Sequence, residues 1–270
     1  MLTSEKYDRW KLAQKQQVVN QLNKKDRLKN DWNLVIKRRW QHANAILERI
    51  VRFKPIYPTT KILELGSGSH GACFFHTKGV RFGLDPLASF YRSEYSDIQK
   101  GSSAKICAGM GEKLPFQYAS FDIVLSDNVI DHTADAKEIL REVNRVLTDD
   151  GIFYLALHLH HVIYRLFNLT FIALFNLKLT PNTPYYKAHT YFFTPKIIRN
   201  TITEAKFNII YADIPNRLAK NRLSMGSIRS CKNVYCTLIC TKSWTLYLFN
   251  NLWCFPFRIE FRYRSLLESG

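Results

Sequence analysis

The chain has no CxxC pair among its six cysteines (Cys73, Cys107, Cys231, Cys236, Cys240, Cys254). Cys73 and Cys107 stand in apolar surroundings typical of buried thiols, so a reducing compartment is expected rather than a disulfide framework. The opening residues MLTSEKYDRWK contain no apolar stretch of signal-peptide length, which predicts a cytoplasmic protein. The longest apolar tract, Val162 to Leu179, is interrupted by Arg165, Asn168, Asn176 and Lys178. A spanning helix needs about 20 mostly apolar residues, so a helix covering a site or lying in a membrane interface suits this tract better. Acidic residues are scarce, 22 against 39 Lys and Arg, and the imbalance is uneven. Residues 1–54 carry a net +9 and residues 214–270 a net +7, while 55–213 carry only +1. Two basic flanks suit an anionic counterpart such as a membrane surface, a nucleic acid or a phosphorylated substrate; solvated helices that only confer solubility are the plainer account.

Hydrophobic residues at 46% and aromatics at 14% are enough to bury a sizeable core. From Ser4 to Phe53 there is no Gly or Pro, and the pattern predicts two amphipathic helices. Beyond Pro55 and Pro58, β-like runs alternate with helical stretches: KILEL, a helix after His70, VRFGLD, a helix from Pro86, AKICAG, FDIVLS, a helix from Asp135 to Leu147, and GIFYLAL. Such alternation predicts an α/β fold built from βαβ units with a mostly parallel sheet. TPKIIRNTITEAKF adds a helix with Thr194 as N-cap and Pro195 at its first position, and NIIYADI and NVYCTLICTK add strands. The expected organisation is a basic helical extension over 1–54, an α/β domain over 55–242 with an apolar insertion at about 162–192, and an aromatic, basic tail over 243–270.

The sharpest local motif is Leu63-Glu64-Leu65-Gly66-Ser67-Gly68-Ser69-His70-Gly71, between a strand and a helix. Gly66 and Gly68 allow a sharp turn and close approach to a ligand. A third glycine at Gly71 also fits the spacing of a nicotinamide fingerprint. The loop combines with Asp85 at the end of the second strand, with Glu112-Lys113-Leu114-Pro115-Phe116, and with Ser120-Phe121-Asp122 entering the fourth strand. This set resembles the class I S-adenosylmethionine-dependent methyltransferases of the small-molecule, methyltransferase 11 type, over about Lys61 to Gly151.

The resemblance implies a Rossmann-like sheet whose last strand is antiparallel, and S-adenosylmethionine as cofactor. It implies Glu64, Gly66, Ser67 and Gly68 as the cofactor loop, with Glu64 near the ammonium of the methionine part and Asp85 on the ribose hydroxyls. Where relatives hold an acidic residue for the adenine amino group, Met110 stands here, flanked by Gly111 and Glu112; Met110 is expected to pack on the adenine face. Asp127, Asn128 and His132 follow the fourth strand and are expected beside the cofactor, with Asp131 among them at the sheet edge.

On the acceptor side, His158, His160 and His161 end the fifth strand, and a histidine there suits a base for an attacking acceptor. His189 lies in a His-and-aromatic segment with Tyr185, Tyr186 and Tyr191 that resembles the closure over an acceptor pocket. The spacing matches no familiar metal set, and no metal is assigned. The expected function is methyl transfer to a small-molecule or lipid-linked acceptor, foremost on oxygen, in the cytoplasm or peripheral to an anionic membrane. The alternatives are an RNA methyltransferase gripping phosphates with its basic flanks, a catalytically inactive cofactor-binding module, and a nicotinamide oxidoreductase. SDNVIDH stands where an N/D-P-P-Y/F motif would follow the fourth strand, which argues against common base-amino methylation.

Overall fold

The computed structural model describes residues 4–27, 31–96, 99, 101–162, 165–166, 170, 191–214, 234–243 and 260–262. Short runs rich in Ile, Leu, Val and Phe form the strands β1 (Lys61–Leu65), β2 (Val80–Asp85), β3 (Lys105–Ala108), β4 (Phe121–Asp127), β5 (Leu147–Leu159), β6 (Phe207–Asp213), β7 (Val234–Lys242) and β8 (Glu260–Arg262). They make one sheet in the order β3-β2-β1-β4-β5-β7-β6-β8. The pairs from β3 across to β5 are parallel, and β7 runs antiparallel to both β5 and β6. The expected Rossmann-like class is the observed one. The tail adds β8, which pairs parallel with β6, a strand that the aromatic pattern of residues 243–270 did not predict.

Both faces of the sheet are covered, so its strands are buried on alternate sides by different helices. On one face, Leu63, Leu65, Val124, Phe153 and Leu155 meet Ile139, Leu140 and Val143. Those three belong to helix α5 (Ala136–Val146), counted after α1 (Ser4–Arg27), α2 (Trp32–Ile50), α3 (Ala72–Phe75) and α4 (Ala88–Glu94). Asp135 caps α5 by accepting from Lys137 N and Glu138 N, and Thr194 caps α6 (Pro195–Glu204) by accepting from Ile197 N, each supplying an acceptor to an otherwise unpaired first-turn N–H. On the other face, Ala43, Ile46 and Ile50 of α2 pack on Ile62, Ile123, Ile152 and Tyr154. Full burial of a side chain such as Ile46 is worth about 1.5–3 kcal/mol, so α2 forms a core layer of the sheet. The run after His70 yields only the single turn α3, Ala72–Phe75.

The strand order reverses between β1 and β4, where chains leaving adjacent strands part in opposite directions and open a crevice at the C-terminal edge. Leu65 pairs with both Leu84 and Ser126, so Gly66, Asp85 and Asp127 emerge at one level of that edge. Among the described residues no helix is long and apolar enough to cross a membrane.

Candidate functional site

The turn after β1 needs two residues in the left-handed region, Gly66 at φ +61° and Gly68 at φ +53°, where a Cβ is strained. The N–H groups of Gly66 and Ser67 both donate to Leu84 O, at 2.7 and 3.2 Å, which pins the loop to the end of β2. Beneath it, Glu64 is buried, and its two carboxylate oxygens accept from Ala72 N at 2.9 Å and Cys73 N at 2.7 Å. Burial pushes the Glu64 carboxyl above its ordinary range, and the two backbone donors draw it back. The Glu64 carboxylate thus caps α3 and supports the loop from below.

Above the loop lies a cavity of about 470 Å³, within the range of small-ligand sites. Gly66 and Asp85 line it, whereas Ser67 and Gly68 sit behind its wall. Asp85 accepts from Gly68 N at 3.0 Å and Leu87 N at 2.8 Å, which holds one oxygen on each side of the loop. Burial raises its carboxyl as well. On the β3 side the lining comes from Met110, Gly111 and Glu112. Glu112 Oε1 accepts from Ala134 N at 2.8 Å and Asp135 N at 3.1 Å, tying this segment to the turn after β4. Asn128, Val129 and His132 line the β4 side.

The last wall is α1, which turns Trp10, Ala13, Gln14, Gln17 and Asn20 toward the cavity. The amphipathic pattern of the extension gave no sign of this role, although spacings of three and four between those residues mark one helix face. Gln17 lies against the Tyr91 hydroxyl, whose pKa burial and Asp85 raise.

Of the candidate acceptor-side residues that the structure describes, His158 alone lines the cavity. Its Nδ1 lies 2.6 Å from Asn128 Oδ1, and its ring meets the Tyr235 ring at 5.4 Å. Asn128 itself has φ +57°. His160 is fully buried, with its ring against Phe192 at 5.2 Å, and does not line the cavity. His161 is half-buried and also off that wall. Asp127 does not line the cavity; it accepts from His42 Nε2 at 2.5 Å and from the Tyr235 hydroxyl, two partners that motif reasoning missed. Asp131 is buried with its Oδ2 3.6 Å from His132 Nε2. Tyr191 donates to Ala134 O at 3.1 Å; Tyr185, Tyr186 and His189 lie outside the described residues. Among the described residues no cluster of His, Cys, Asp and Glu could hold a metal ion.

Residues 63–155 match the family described as a methyltransferase domain. The sarcosine/dimethylglycine N-methyltransferase of Aphanothece halophytica is 31% identical over 100 residues, covering 35% of this chain and 36% of that protein. The chain thus spans about a third of the length of that curated relative. Among solved structures, YcgJ of Bacillus subtilis superposes with a TM-score of 0.52 at 16% identity, covering 73% of this chain and 97% of that one. A phosphoethanolamine N-methyltransferase of Haemonchus contortus, solved with phosphomonomethylethanolamine and S-adenosylhomocysteine, gives 0.52 at 14% identity over 74% of this chain and 52% of that one. The sequence match begins at the strand that feeds the glycine loop and ends within β5, the same stretch whose strand order opens the crevice, and over that stretch the chain is similar to a methyltransferase domain.

Proposed function

We propose that the chain transfers a methyl group to a small-molecule acceptor in the cavity at the switch point. The observation that carries this reading is the meeting of the Gly66 turn, Asp85 and His158 on one cavity. The residues suit S-adenosylmethionine: a left-handed glycine turn gives close backbone approach, and Asp85 offers a buried carboxylate to paired hydroxyls. When bound, the cofactor supplies an electrophilic methyl carbon on a sulfonium. Asp85 would hold the ribose, Met110 and Gly111 would meet the adenine, and the loop resting on Glu64 would receive the methionine part.

On the other side, His158 is the base. With the amide oxygen of Asn128 facing Nδ1, the ring carries its proton on Nδ1 and its lone pair on Nε2. A neutral hydroxyl must give up its proton as it attacks, and Nε2 is suited to take it. This favours oxygen as the methylated atom. Nitrogen is the second reading, favoured by the N-methyltransferase name of the Aphanothece relative; an amine that attacks as its free base makes less use of His158. The basic flanks, net +9 and +7, suit an acceptor presented at an anionic surface.

The test is calorimetric titration with S-adenosylhomocysteine and with NAD. Expected is a Kd of roughly 1–100 μM, about 5.5–8 kcal/mol, for the first and no heat for the second. Asp85→Ala should weaken the first by about 1.5–3 kcal/mol, through loss of charge-assisted hydrogen bonds. NAD binding, or full affinity in Asp85→Ala, would refute the assignment of the cavity.

A further inference from the structure

Asp127, on the last position of β4, is held from two sides. His42 Nε2, on the outer half of α2, lies 2.5 Å from Oδ2, and the Tyr235 hydroxyl on β7 donates to Oδ1. Burial and the neighbouring Asp127 carboxylate push the Tyr235 phenol far up, so it stays a donor. Neither His42 nor Tyr235 lines the cavity, yet Tyr235 and the residue after Asp127 both reach His158. The Tyr235 ring packs edge-on against the imidazole, at 5.4 Å and 67°. Asn128, the residue after Asp127, turns into the left-handed region at φ +57° and sets its Oδ1 2.6 Å from His158 Nδ1. A non-glycine residue in that region costs about 1–3 kcal/mol and persists only where its surroundings fix it. One such fixture is Asn128 N–H to Ala156 O at 2.7 Å; the other is the doubly held carboxylate immediately before it.

We propose that His42 is a positioning residue of the transfer site: through Asp127 it fixes the Asn128 turn and the Tyr235 ring, and so sets the tautomer of His158. This rests on the reading of His158 as the base. The N-terminal segment then supplies part of the acceptor half of the site, beyond the wall that α1 gives the cavity. A tether that only docks α2 would be redundant, since Ala43, Ile46, Leu47 and Ile50 already bury that helix. His42 itself is 38% exposed at its side chain, so its replacement leaves the core intact.

The experiment is ¹⁵N NMR of histidine-labelled protein saturated with S-adenosylhomocysteine, with the His158 resonances assigned through His158→Asn. The wild type should show His158 protonated at Nδ1. His42→Leu should cut that signal to half or less, and His42→Gln, whose amide can donate to Asp127, should restore it. Tyr235→Phe, which keeps the ring on His158 and removes only the hydroxyl, should give an intermediate loss and tests the same link if His42→Leu fails to fold. In each variant the affinity for S-adenosylhomocysteine should stay within about twofold, because these residues lie off the cofactor wall. Asn128→Leu is the control and should abolish the Nδ1-protonated signal. If Asn128→Leu abolishes it while His42→Leu and Tyr235→Phe leave it at wild-type strength, His42 has no positioning role. If Asn128→Leu leaves it unchanged too, the assignment of His158 falls and the proposal with it.

Discussion

Replacing Gly66 by Ala probes the loop on which the site stands, and its cost divides into two separable parts. At φ +61° an alanine pays the left-handed penalty, about 1–2 kcal/mol. Its Cβ would also lie 2.4 Å from Val129 Cγ2 and 2.8 Å from Cγ1, inside any tolerable contact, and overpacking of this kind costs about 1–3 kcal/mol. The sum, about 2–5 kcal/mol, corresponds to roughly 2–4 °C of melting temperature for each kcal/mol in a chain of this size. Gly68 provides the comparison. It shares the left-handed backbone, at φ +53°, but a Cβ there would meet nothing closer than Gly66 O at 3.9 Å. Gly68→Ala should therefore lose only the backbone part. Combining Gly66→Ala with Val129→Ala should recover about 1–3 kcal/mol relative to the sum of the single changes, since the clash is shared between the two residues. The assay is thermal unfolding of the four variants beside titration with S-adenosylhomocysteine. A Gly66→Ala protein that melts with Gly68→Ala, or a double variant showing no coupling, would refute the packing of Val129 on the turn.

Glu64→Gln should destabilise the fold by about 1–3 kcal/mol, because its amide nitrogen would face one of the two backbone N–H groups that the carboxylate now satisfies. Burial holds the folded-state pKa of Glu64 above its ordinary value. The stability it contributes by this shift is therefore full below the ordinary carboxylate range and is lost as pH rises through the folded value. The gap between wild type and Glu64→Gln, measured by denaturant unfolding across pH, should thus be widest in acid and narrow upward; a gap that widens with pH would contradict the burial argument. Gln17→Leu, on the cavity face of α1, should weaken S-adenosylhomocysteine by roughly 3- to 10-fold, the worth of about one hydrogen bond. Calorimetry that finds wild-type affinity would remove α1 from the ligand wall.

The fold was legible because the strands from β1 to β7 announce themselves locally. KILEL, VRFGLD and FDIVLS are short apolar runs set between turn residues, and Asp135 and Thr194 mark helix starts by a side chain that must accept from the first-turn backbone. That Gly66, Asp85 and Met110 come together on one cavity was legible for a related reason, each standing at or just beyond a strand end. The partners of Glu64 were not legible, because spacing gives the position of a carboxylate along the chain but not the face to which it turns. In a parallel strand alternate residues face opposite sides, and Glu64 faces α3. His42 and Tyr235 were illegible from motifs. They meet Asp127 across 85 and 108 residues of sequence, and nothing local in WQHANAIL or NVYCTLIC distinguishes a site residue from a polar residue on a helix or strand.

The first helix shows why amphipathic pattern alone was insufficient. Its exposed side carries Leu12, Val19 and Leu22, 39–49% exposed, while Gln14 and Gln17 turn inward. A helix packed on a hydrophobic core would show the opposite arrangement. The reversal follows from what lies beneath α1: the inner wall borders a polar cavity ringed by Asp85, Glu112 and Asn128, where amides can satisfy hydrogen bonds that leucines cannot. Apart from Ala13, buried at 4%, α1 has little apolar purchase on the domain. Polar and aromatic contacts near its C-terminal end anchor it, with the Tyr95 hydroxyl donating to Gln21 O at 2.9 Å and Lys25 pairing with Glu94 at 3.1 Å. Half-exposed ion pairs of this kind contribute little each. The wall of the site is consequently held more weakly than the α2 layer beside it, which is buried through Ala43, Ile46 and Ile50, and the part of the N-terminal segment that orders the site differs from the part that covers it.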